Sequence, residues 1–594
     1  MCGIVSVYAP SGHGLASLVN RMLDTLTHRG PDDSGIWSDD GIALGNCRLA
    51  ILDLSPTGHQ PMVNTTINGV PIEGALTFNG EIFNHQELRQ RFEGLIEWRG
   101  TSDTETVLAL LSVENPVWTC QRLRGMFAFA HWDGQRLTIA RDRLGIKPCF
   151  YARTPEGTWL VASEVRALRA VAKFDLDWVS LAAYLRLGYI PSPRTAYVGV
   201  HELPPGCVGI IENDAITLTP YWQLGDRPLR WEVSGDESGG LHYQQNPEWR
   251  TPDLGIRFED AVRSHLQSDV PVALFAGGGT DSRAIAKTAA DLDHPLTGFH
   301  VVGDARDYEN AGRIVTDGHL GKLIVDPVAP TLWEGPPKED LDQFIAAMDQ
   351  PSIDGVNTWY ATRLAKRSGF KVVLSGLGGD ELFAGYKTFR TVRYIRMLQR
   401  VVSERYADLW PGRLPDALKE PRTLKTAYAA ARGLFSQAES IALTRGTLQD
   451  ACRSLDLNDL LPDAADMRRM ELSAYLRSQL LRDCDVFSMA HGVEVRPVFL
   501  DHPFVEAALA QPLTRREFCR ALGLPAPGRK RGFTLPIGEW LTNGVWYPDL
   551  AALQGDLAEC PAISLNGILQ LDRAHWSRRW ALLVLAQWLK GVNV

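Results

Sequence analysis

The sequence predicts an α+β region followed by a parallel α/β region with a helical extension, and three observations support this fold class. Residues 1–220 contain short apolar segments separated by Gly, Pro, Asn and Asp turns, with helical patterns between them. From about Pro247, continuous apolar runs alternate with helix-like sequence, which is typical of parallel α/β units. From about Lys387 to the last residue, the patterns are mainly helical.

The elements follow from these patterns in chain order. In the first region, the predicted strands are residues 41–54, 75–78, 127–132, 137–140 and 158–162, and the predicted helices are residues 15–26 and 104–112. In the second region, the predicted strands are residues 270–276, 296–302 and 371–375, and a helix begins at Asp281. The last predicted helix, residues 573–590, carries an aromatic stripe that we assign to core packing.

A polar, glycine-containing segment separates the two regions. Residues 225–246 include the run Ser-Gly-Asp-Glu-Ser-Gly-Gly, which we interpret as a flexible linker or surface loop. The predicted domains are therefore residues 1–220 and 247–594, joined by residues 221–246.

Composition excludes several classes of protein. Of the 594 residues, 45% are hydrophobic and 22% charged, as in ordinary globular proteins, and the net charge of −9 argues against a nucleic-acid partner. The nine cysteines show no CxxC pair, which indicates reduced thiols in a cytosol. We see neither a signal peptide nor an apolar run long enough to span a membrane, so we expect a cytoplasmic protein without a membrane partner.

The chain begins Met1-Cys2-Gly3-Ile4, which suggests an N-terminal nucleophile. Removal of Met1 would place the Cys2 thiol beside a free α-amino group, whose ordinary pKa of about 7.7–8.0 lets it accept the thiol proton. One residue would then supply both the nucleophile and the base. Many proteins start with Met-Cys, so this feature needs support from the residues that follow.

That support is a series of short motifs in a fixed order. They are His-Arg-Gly-Pro-Asp at 28–32, Arg-Leu at 48–49, Gly-His-Gln-Pro-Met at 58–62, Phe-Asn-Gly-Glu-Ile-Phe-Asn at 78–84 and Thr-Ser-Asp-Thr-Glu at 101–105. Over nearly all of residues 1–210 the set resembles the class II glutamine amidotransferase domain. The resemblance implies an αββα sandwich of the N-terminal-nucleophile hydrolase type and L-glutamine as a substrate.

The resemblance also assigns roles to individual residues. It implies that Arg48 pairs with the α-carboxylate of glutamine and that Glu81 and Asp103 hold its ammonium, by charge-assisted hydrogen bonds. It implies that the Asn79 side-chain amide and the Gly80 backbone N–H stabilise the oxyanion formed when Cys2 attacks the side-chain amide.

A glycine-rich turn in the second region is built to hold an anion. The predicted strand ending at Ala276 runs into Gly277, Gly278 and Gly279, and the helix of Asp281 and Ser282 follows. Backbone N–H groups in such a turn, together with a helix N-terminus, bind phosphate. The turn lacks the Walker pattern and resembles the Ser-Gly-Gly-x-Asp-Ser loop of ATP pyrophosphatases, which implies ATP as cosubstrate and an adenine nucleotide alpha-hydrolase-like domain.

The first position of this loop departs from the family pattern. Gly277 replaces the family's serine, so a hydroxyl donor is lost while the backbone groups remain. We expect weakened or rearranged phosphate binding, with Arg283 as a compensating charge.

A second loop follows the next predicted strand. Its sequence, Ser375-Gly376-Leu377-Gly378-Gly379-Asp380-Glu381, resembles the second phosphate loop of asparagine synthetases. The resemblance implies that Asp281 and Asp380 hold the Mg²⁺ of the nucleotide, and two carboxylates suit a cation that also binds phosphates.

Leu377 is the main departure within this loop. Many asparagine synthetases have Glu or Asp there, and leucine can neither bind a charged acceptor nor move a proton. Either the role is taken elsewhere or the acceptor is not aspartate. The polar residues 349–358 are predicted to line the acceptor pocket, to which we assign Asp354 as a replacement acid together with Leu377 and Glu381.

Later segments extend the resemblance to the end of the chain. Arg-Asp-Cys-Asp at 482–485 and Ser-Met-Ala-His-Gly-Val-Glu-Val-Arg at 488–496 match the synthetase signature, although a basic residue is missing from it. Arg529-Lys530-Arg531-Gly532-Phe533 resembles the late Lys-x-Gly-Phe segment, which implies that Lys530 neutralises charge in the adenylate transition state.

Together these motifs imply an ATP-dependent amidation fed by glutamine. Ammonia released at Cys2 would travel through an internal channel to a carboxylate activated as an acyl-adenylate. The acceptor is aspartate or a natural-product or sugar acid. Two other hypotheses are a glutamine-binding regulatory or scaffold protein with an inactive synthetase half, and an enzyme of β-lactam-type ring closure. A homodimer is left open.

Overall fold

The structure is a computed structural model, and it describes most of the chain. The described residues are 2–10, 12–67, 69–212, 214–225, 231–235, 241–245, 254–302, 305–326, 336–419, 421–510, 514–527, 535–542, 546–547, 550–564 and 575–592. Within these ranges, no helix combines the length and the apolar character that crossing a bilayer requires.

The first half of the chain forms two six-stranded antiparallel sheets. The first sheet has the strands, in spatial order, Val200–Glu202, Phe150–Arg153, Trp159–Ala162, Cys2–Tyr8, Ile42–Arg48 and Asp33–Asp39. The second has Ala215–Pro220, Cys207–Glu212, Leu137–Arg141, Gly125–Trp132, Val70–Ile82 and Met62–Ile67. The accompanying helices are Leu15–Asp24, Pro56–Gly58, His85–Gln90, Asp103–Val113, Pro116–Arg122, Val165–Arg169 and Trp178–Leu187.

The two sheets face each other between layers of helix. Ile4 and Leu44 of the first sheet share a buried cluster with Ala128 and Ile139 of the second. The alternate residues of strand Cys2–Tyr8 pack on the opposite face against helix Leu15–Asp24, because successive strand residues point to opposite faces. The outer face of the second sheet packs in the same way against helix Asp103–Val113. The predicted strand at residues 41–54 is shorter than expected and ends at Arg48.

The second half contains a five-stranded parallel sheet. Its strands are, in spatial order, Leu320–Asp326, Leu296–Val301, Val272–Phe275, Val372–Ser375 and Glu494–Pro497. Helix Leu254–His265 precedes the first of these strands in the chain, and the helices that follow are Thr280–Asp291, Ala305–Thr316, Lys338–Ala347, Val356–Arg367 and Gly379–Leu382. All five strands end at the same edge, which is where ligands bind in open α/β sheets.

The remaining chain is mainly helical, as predicted. Its helices are Thr388–Val401, Glu404–Leu409, Leu414–Leu418, Leu424–Arg432, Gln437–Leu443, Gly446–Ser454, Leu457–Leu460, Met467–Glu471, Leu472–Leu481, Arg482–Met489, Val498–Leu500, His502–Ala510, Arg515–Ala521, Ile537–Trp540, Leu550–Ala558 and Trp576–Gly591. In the last of these, Trp580 and Trp588 are buried, which confirms that the aromatic stripe is core.

Two expectations about these regions need correction. The strand Glu494–Pro497 interrupts the part predicted to be helical and pairs with Val372–Ser375. Its four residues are too few to give a periodic signal, and pairing in the sheet decides their conformation. In the segment predicted to be a linker or loop, Trp231–Gly235 pairs antiparallel with Leu241–Gln245; residues 236–240 lie outside the described residues.

Ion pairs join the two halves. Arg124 of the first half donates to both carboxylate oxygens of Asp501 at 2.9 and 2.8 Å, and it also pairs with Asp260 at 2.9 Å. Two-point contacts of this kind fix orientation as well as distance. The relative position of the two sites is therefore set by charged side chains as well as by apolar packing.

Candidate active sites

Cys2 and Asn79 meet where the two antiparallel sheets face each other. Cys2 begins the strand Cys2–Tyr8, and Asn79 lies near the end of the strand Val70–Ile82. The backbone nitrogen of Cys2 donates to Oδ1 of Asn79 at 2.9 Å. This nitrogen becomes the α-amino group once Met1 is removed. Burial raises the pKa of the Cys2 thiol, so the thiol needs a nearby base to become a nucleophile at neutral pH.

Asn79 has a second polar atom that is ready to donate. Its Nδ2 is buried and has no hydrogen-bond partner among the described residues. The amide orientation is fixed because Oδ1 must face the N–H of Cys2. A buried, unpaired N–H is costly, and an oxyanion formed at Cys2 would satisfy it.

Gly80 allows two strands to approach closely beside this amide. A Cβ atom at Gly80 would overlap the carbonyl oxygen of Met126 on the neighbouring strand. Only glycine therefore fits at this position of the strand pair, which explains why Asn79 is followed by glycine.

Glu81 and Asp103 are both buried in this site, and burial raises the pKa of each. For Asp103 the pKa rises to about 6, although the N–H of Ile82 donates to its carboxylate at 2.8 Å. The pKa of Glu81 is raised well above its ordinary value. Burial disfavours the ionised form of both carboxyl groups. A positively charged ligand would stabilise that ionised form.

Glu81 also has a partner from the other half of the chain. Nη2 of Arg496 lies 3.3 Å from Oε1 of Glu81, and Nε of Arg496 donates to Glu494 at 2.6 Å. Burial raises the pKa of Glu494, but nearby positive charges, among them Arg496 and Lys147, outweigh it and lower the pKa to about 2. The predicted ammonium site is thus continuous with a buried charge network in the synthetase half.

Arg48 is held by carbonyl groups. Its guanidinium donates to the carbonyl oxygens of Leu52 at 3.1 Å, of Asp53, and of Ser55 at 3.5 Å. No salt bridge to Arg48 is found among the described residues. A buried cation held only by neutral oxygens retains charge for an anionic ligand, as the predicted role requires.

Arg29 connects Cys2 to the other half. Its Nε donates to the carbonyl oxygen of Cys2 at 3.2 Å, and its Nη1 lies 2.8 Å from both Glu164 and Asp485. Asp485 and Lys147 line a small interdomain cavity of about 10 Å³. This volume is close to that of one water-sized probe.

The two predicted phosphate loops meet at the edge of the parallel sheet. Strands Val272–Phe275 and Val372–Ser375 are adjacent and parallel, so the loops that follow them start side by side. They line one cavity of about 780 Å³. Its lining includes Gly277, Gly278, Gly279, Asp281, Ser282, Arg283, Ser375, Gly376, Leu377 and Asp380.

Glycines in the second loop let it close onto Asp281. A Cβ atom at Gly376 would lie 2.9 Å from Cβ of Asp281, and one at Gly379 would lie 2.8 Å from its Cγ. Gly378 adopts φ of +97°, which side chains rarely tolerate. These glycines therefore bring Asp281 and Asp380 to one end of the cavity.

A cation that the sequence did not single out lies between these carboxylates. Nη2 of Arg515 is 3.1 Å from Oδ2 of Asp281 and 2.7 Å from Oδ1 of Asp380. Among the described residues, no group of three or more His, Cys, Asp or Glu side chains is placed to hold a metal ion. The pair fits Mg²⁺, which commonly takes one or two carboxylates and completes its coordination with phosphates and water.

The predicted acceptor residues do not all reach this cavity. Leu377 lines it, whereas Asp354 and Glu381 are absent from the residues found along its wall. Burial raises the pKa of Asp354 and raises that of Glu381 to about 7. Tyr386 donates to Glu381 at 2.6 Å.

The polar segment 349–358 divides between two roles. Asn357 and Thr358 line the cavity. Asp349 instead accepts the backbone N–H groups of Val165 and Arg166 at 2.7 and 2.8 Å, so the start of the segment holds the two halves together. The sequence could not distinguish a polar interface residue from a polar pocket residue.

Lys530, the predicted catalytic lysine, lies outside the described residues. Arg29 and Arg496 lie within the matching motifs, but sequence reasoning assigned them no role, because one partner of each, Asp485 and Glu81 respectively, lies in the other half of the chain. Arg515 belongs to none of the matched motifs, and no sequence signal pointed to it.

The comparisons with known proteins agree with this geometry. Residues 1–222 match the family model of the glutamine amidotransferase domain, and residues 253–517 match that of asparagine synthase. Glutamine-hydrolysing asparagine synthetase 3 of Bacillus subtilis is 30% identical, over 82% of this chain and 77% of that protein. A putative glutamine-hydrolysing asparagine synthetase of Mycobacterium tuberculosis is 29% identical over 99% and 97%.

A third relative carries a different name. The amidase chyE of Penicillium rubens is 31% identical, over 63% of this chain and 55% of that protein. The two matched domains, the order of their motifs and the full-length relatives agree with one another. The chain is a glutamine-hydrolysing ligase and belongs to the asparagine synthetase family.

Proposed function

We propose that this protein amidates a carboxylate through an acyl-adenylate, with ammonia cut from glutamine at Cys2. The observation that carries the glutaminase step is the buried, unpaired Nδ2 of Asn79 beside Cys2. It is a preformed donor at the point where the tetrahedral intermediate develops negative charge.

In the glutaminase half, the freed α-amino group takes the proton of the Cys2 thiol. The thiolate attacks the side-chain amide of glutamine, ammonia leaves, and water hydrolyses the thioester to glutamate. Glu81 and Asp103 hold the α-ammonium of glutamine, and Arg48 holds its α-carboxylate. The N-terminal-nucleophile αββα sandwich suits this chemistry, because the strand Cys2–Tyr8 presents its first residue to the second sheet.

In the synthetase half, the acceptor carboxylate attacks the α-phosphorus of ATP and pyrophosphate leaves. Ammonia then attacks the acyl carbon and AMP leaves, which gives the amide. The two glycine-rich loops hold the phosphates, Arg283 adds positive charge, and Lys530 neutralises the adenylate transition state. Asp281 and Asp380 would hold Mg²⁺, which neutralises charge on the departing pyrophosphate.

Ammonia passes between the sites inside the protein. The cavity beside Lys147 and Asp485 lies at the domain interface and is large enough for a molecule the size of water. Arg29 links its wall to the backbone of Cys2. An enclosed route keeps ammonia unprotonated, and therefore nucleophilic.

We propose that the acceptor carboxylate is not aspartate but a natural-product or sugar acid. Leu377 lines the cavity of the two glycine-rich loops, at a position where the resemblance to asparagine synthetases implies an acid, so this wall cannot bind the ammonium of an amino acid. The name of the amidase relative likewise does not restrict the acceptor to aspartate. AMP release measured across candidate carboxylates identifies the acceptor, and robust turnover of L-aspartate would contradict this choice.

The test of the whole scheme is the Cys2→Ala variant. Glutamine-dependent amide formation should be lost, whereas pyrophosphate release with acceptor and ammonium salt should continue. Glutamine-supported product formation by Cys2→Ala would refute the scheme. Wild-type protein that releases no pyrophosphate with any acceptor would favour the regulatory alternative.

A further inference from the structure

Arg515 sits at the phosphate end of the nucleotide cavity and contacts both predicted metal ligands. One of its nitrogens lies within 3.1 Å of Asp281 and within 2.7 Å of Asp380. The side chain of Arg515 is 12% exposed and lines the cavity with the two glycine-rich loops. The guanidinium of Arg515 therefore lies where a metal cation bound by both carboxylates would lie.

The fold fixes Arg515 at this position. It is the first residue of the helix Arg515–Ala521, which Thr514 and Glu517 cap reciprocally. Phe518, three residues later and hence on the same face, stacks on Phe383 with ring centroids 4.8 Å apart. Phe383 directly follows the helix Gly379–Leu382, which contains Asp380, so Arg515 is anchored to the element that carries Asp380.

Arg515 has an unused donor as well. Its Nε is buried and has no hydrogen-bond partner in the described part of the chain. The carboxylate contacts above are made through Nη2, which leaves Nε available to another acceptor. In a cavity lined by two phosphate loops, the matching acceptor is a phosphate oxygen.

We propose that Arg515 and the divalent cation of the nucleotide compete for Asp281 and Asp380, and that the displaced guanidinium binds the phosphates of ATP. The inference rests on the proposed ATP-dependent function and adds a residue to its phosphate site. A cation that takes over the carboxylates removes the contacts that hold Nη2. The guanidinium then donates to phosphate oxygens with the two-point geometry that arginine favours.

Such an exchange makes the binding of the metal ion depend on the binding of the phosphates. A metal ion alone must displace Arg515 from two charge-assisted contacts, so it binds weakly. A metal ion that arrives with phosphates gives Arg515 new acceptors, so it binds more tightly. The two ligands are therefore coupled through one side chain, and each strengthens the other by the same factor.

The test uses the full-length protein and the variant Arg515→Met, which keeps much of the side-chain length without charge. Mn²⁺ alone, followed by electron paramagnetic resonance, should bind about tenfold more tightly to Arg515→Met than to wild type, because one charge-assisted competitor is gone. Inorganic pyrophosphate, followed by calorimetry at saturating Mg²⁺, should bind about 10- to 100-fold more weakly. Arg515→Lys should retain part of the pyrophosphate affinity.

The matched control is Arg516→Met, because Arg516 is exposed and adjacent to Arg515 in the same helix. The affinities of this variant for Mn²⁺ and for pyrophosphate should equal those of wild type. Glutaminase activity at Cys2, in the other half, reports that each variant is folded. Unchanged Mn²⁺ affinity in Arg515→Met would overturn the competition, and unchanged pyrophosphate affinity would overturn the transfer to phosphate. A wild-type protein that binds neither ligand would instead refute the proposed ATP-dependent reaction.

Discussion

Arg496 of the parallel sheet lies 3.3 Å from Glu81 of the glutaminase half. The same guanidinium donates to the carbonyl oxygens of His265 and Gln267 at 2.9 and 2.6 Å and to Glu494 at 2.6 Å. The residue expected to hold the ammonium of glutamine is thus already paired with a cation from the synthetase half. Binding of glutamine and contact between the domains share one carboxylate.

Replacement of Arg496 by Met should destabilise the protein strongly. Glu81 and Glu494 would remain buried without their shared cation, and breaking a buried pair in this way costs about 3–5 kcal/mol. The midpoint of thermal unfolding should fall by several degrees. Arg263→Met is the control, since Arg263 pairs with Glu259 on the surface with 61% of its side chain exposed and should cost about 0–1 kcal/mol. Equal midpoints for the two variants would contradict the buried role of Arg496.

Replacement of Asn79 by Asp should reduce catalysis more than binding. Aspartate keeps an oxygen for the N–H of Cys2 but loses Nδ2, the unpaired donor. Loss of one oxyanion donor lowers kcat by about 10²–10³-fold, while the KM for glutamine should stay within a few-fold. Glutamate release without acceptor measures both constants.

Ammonia-dependent release of pyrophosphate by Asn79→Asp provides the control, because it bypasses the glutaminase half. That rate should equal the wild-type rate. A variant that loses ammonia-dependent activity too, or that changes only KM, would speak against Asn79 as an oxyanion donor.

The pH dependence of glutamine hydrolysis should report Asp103. Burial raises its pKa to about 6, so below this pH the carboxyl is neutral and attracts the glutamine ammonium less. The value of kcat/KM, which reflects the free enzyme, should fall about tenfold between the neutral plateau and pH 5. In Asp103→Asn the decrease in kcat/KM near pH 6 should be absent. A wild-type profile that is flat from pH 5 to 7 would exclude this assignment.

The same shift has a consequence for stability with a definite sign. A carboxyl whose pKa is higher in the folded than in the unfolded protein binds its proton more tightly when folded. The contribution of Asp103 to stability is therefore fully present below its unfolded pKa, near 3.8, and is lost as the pH rises through about 6.

Substitution of Leu377 by Glu should change the choice of acceptor. The acid would supply the wall of the cavity with the charge that leucine lacks, so AMP release with L-aspartate should rise about tenfold, the effect of one charge-assisted contact. Leu377→Met, which conserves the apolar wall, should behave as wild type does. Wild-type turnover of L-aspartate that exceeds that of Leu377→Glu would contradict the assignment of a specialised acceptor.

Local features of the sequence were enough to predict which residues of the two candidate sites lie close together. Asn79, Gly80 and Glu81 lie on one strand, so a short motif specifies their relative positions. The two glycine-rich loops meet because parallel strands end at the same edge, which is a rule of the fold class and needs no knowledge of side-chain contacts.

The remaining features depend on contacts between distant parts of the chain. Arg515 reaches Asp281 because Phe518 docks its helix on aromatic rings from distant parts of the chain, among them Phe383 and Phe258, and no local pattern encodes these contacts. The strand Glu494–Pro497 and the paired strands Trp231–Gly235 and Leu241–Gln245 are short, and their conformations follow from pairing. The role of Asp349 at the interface likewise becomes visible only when Val165 is placed next to it.

The pairing of Arg496 with Glu81 also limits how this polypeptide can be divided. A truncated gene product that stopped at the end of the amidotransferase domain would carry the Glu81 carboxyl group beside that of Asp103, without its natural counter-ion. Such a fragment would have to protonate that group or admit solvent to it. Either change would alter the specificity pocket for the amino group of its substrate, so a working stand-alone deamidase would need a compensating basic side chain of its own.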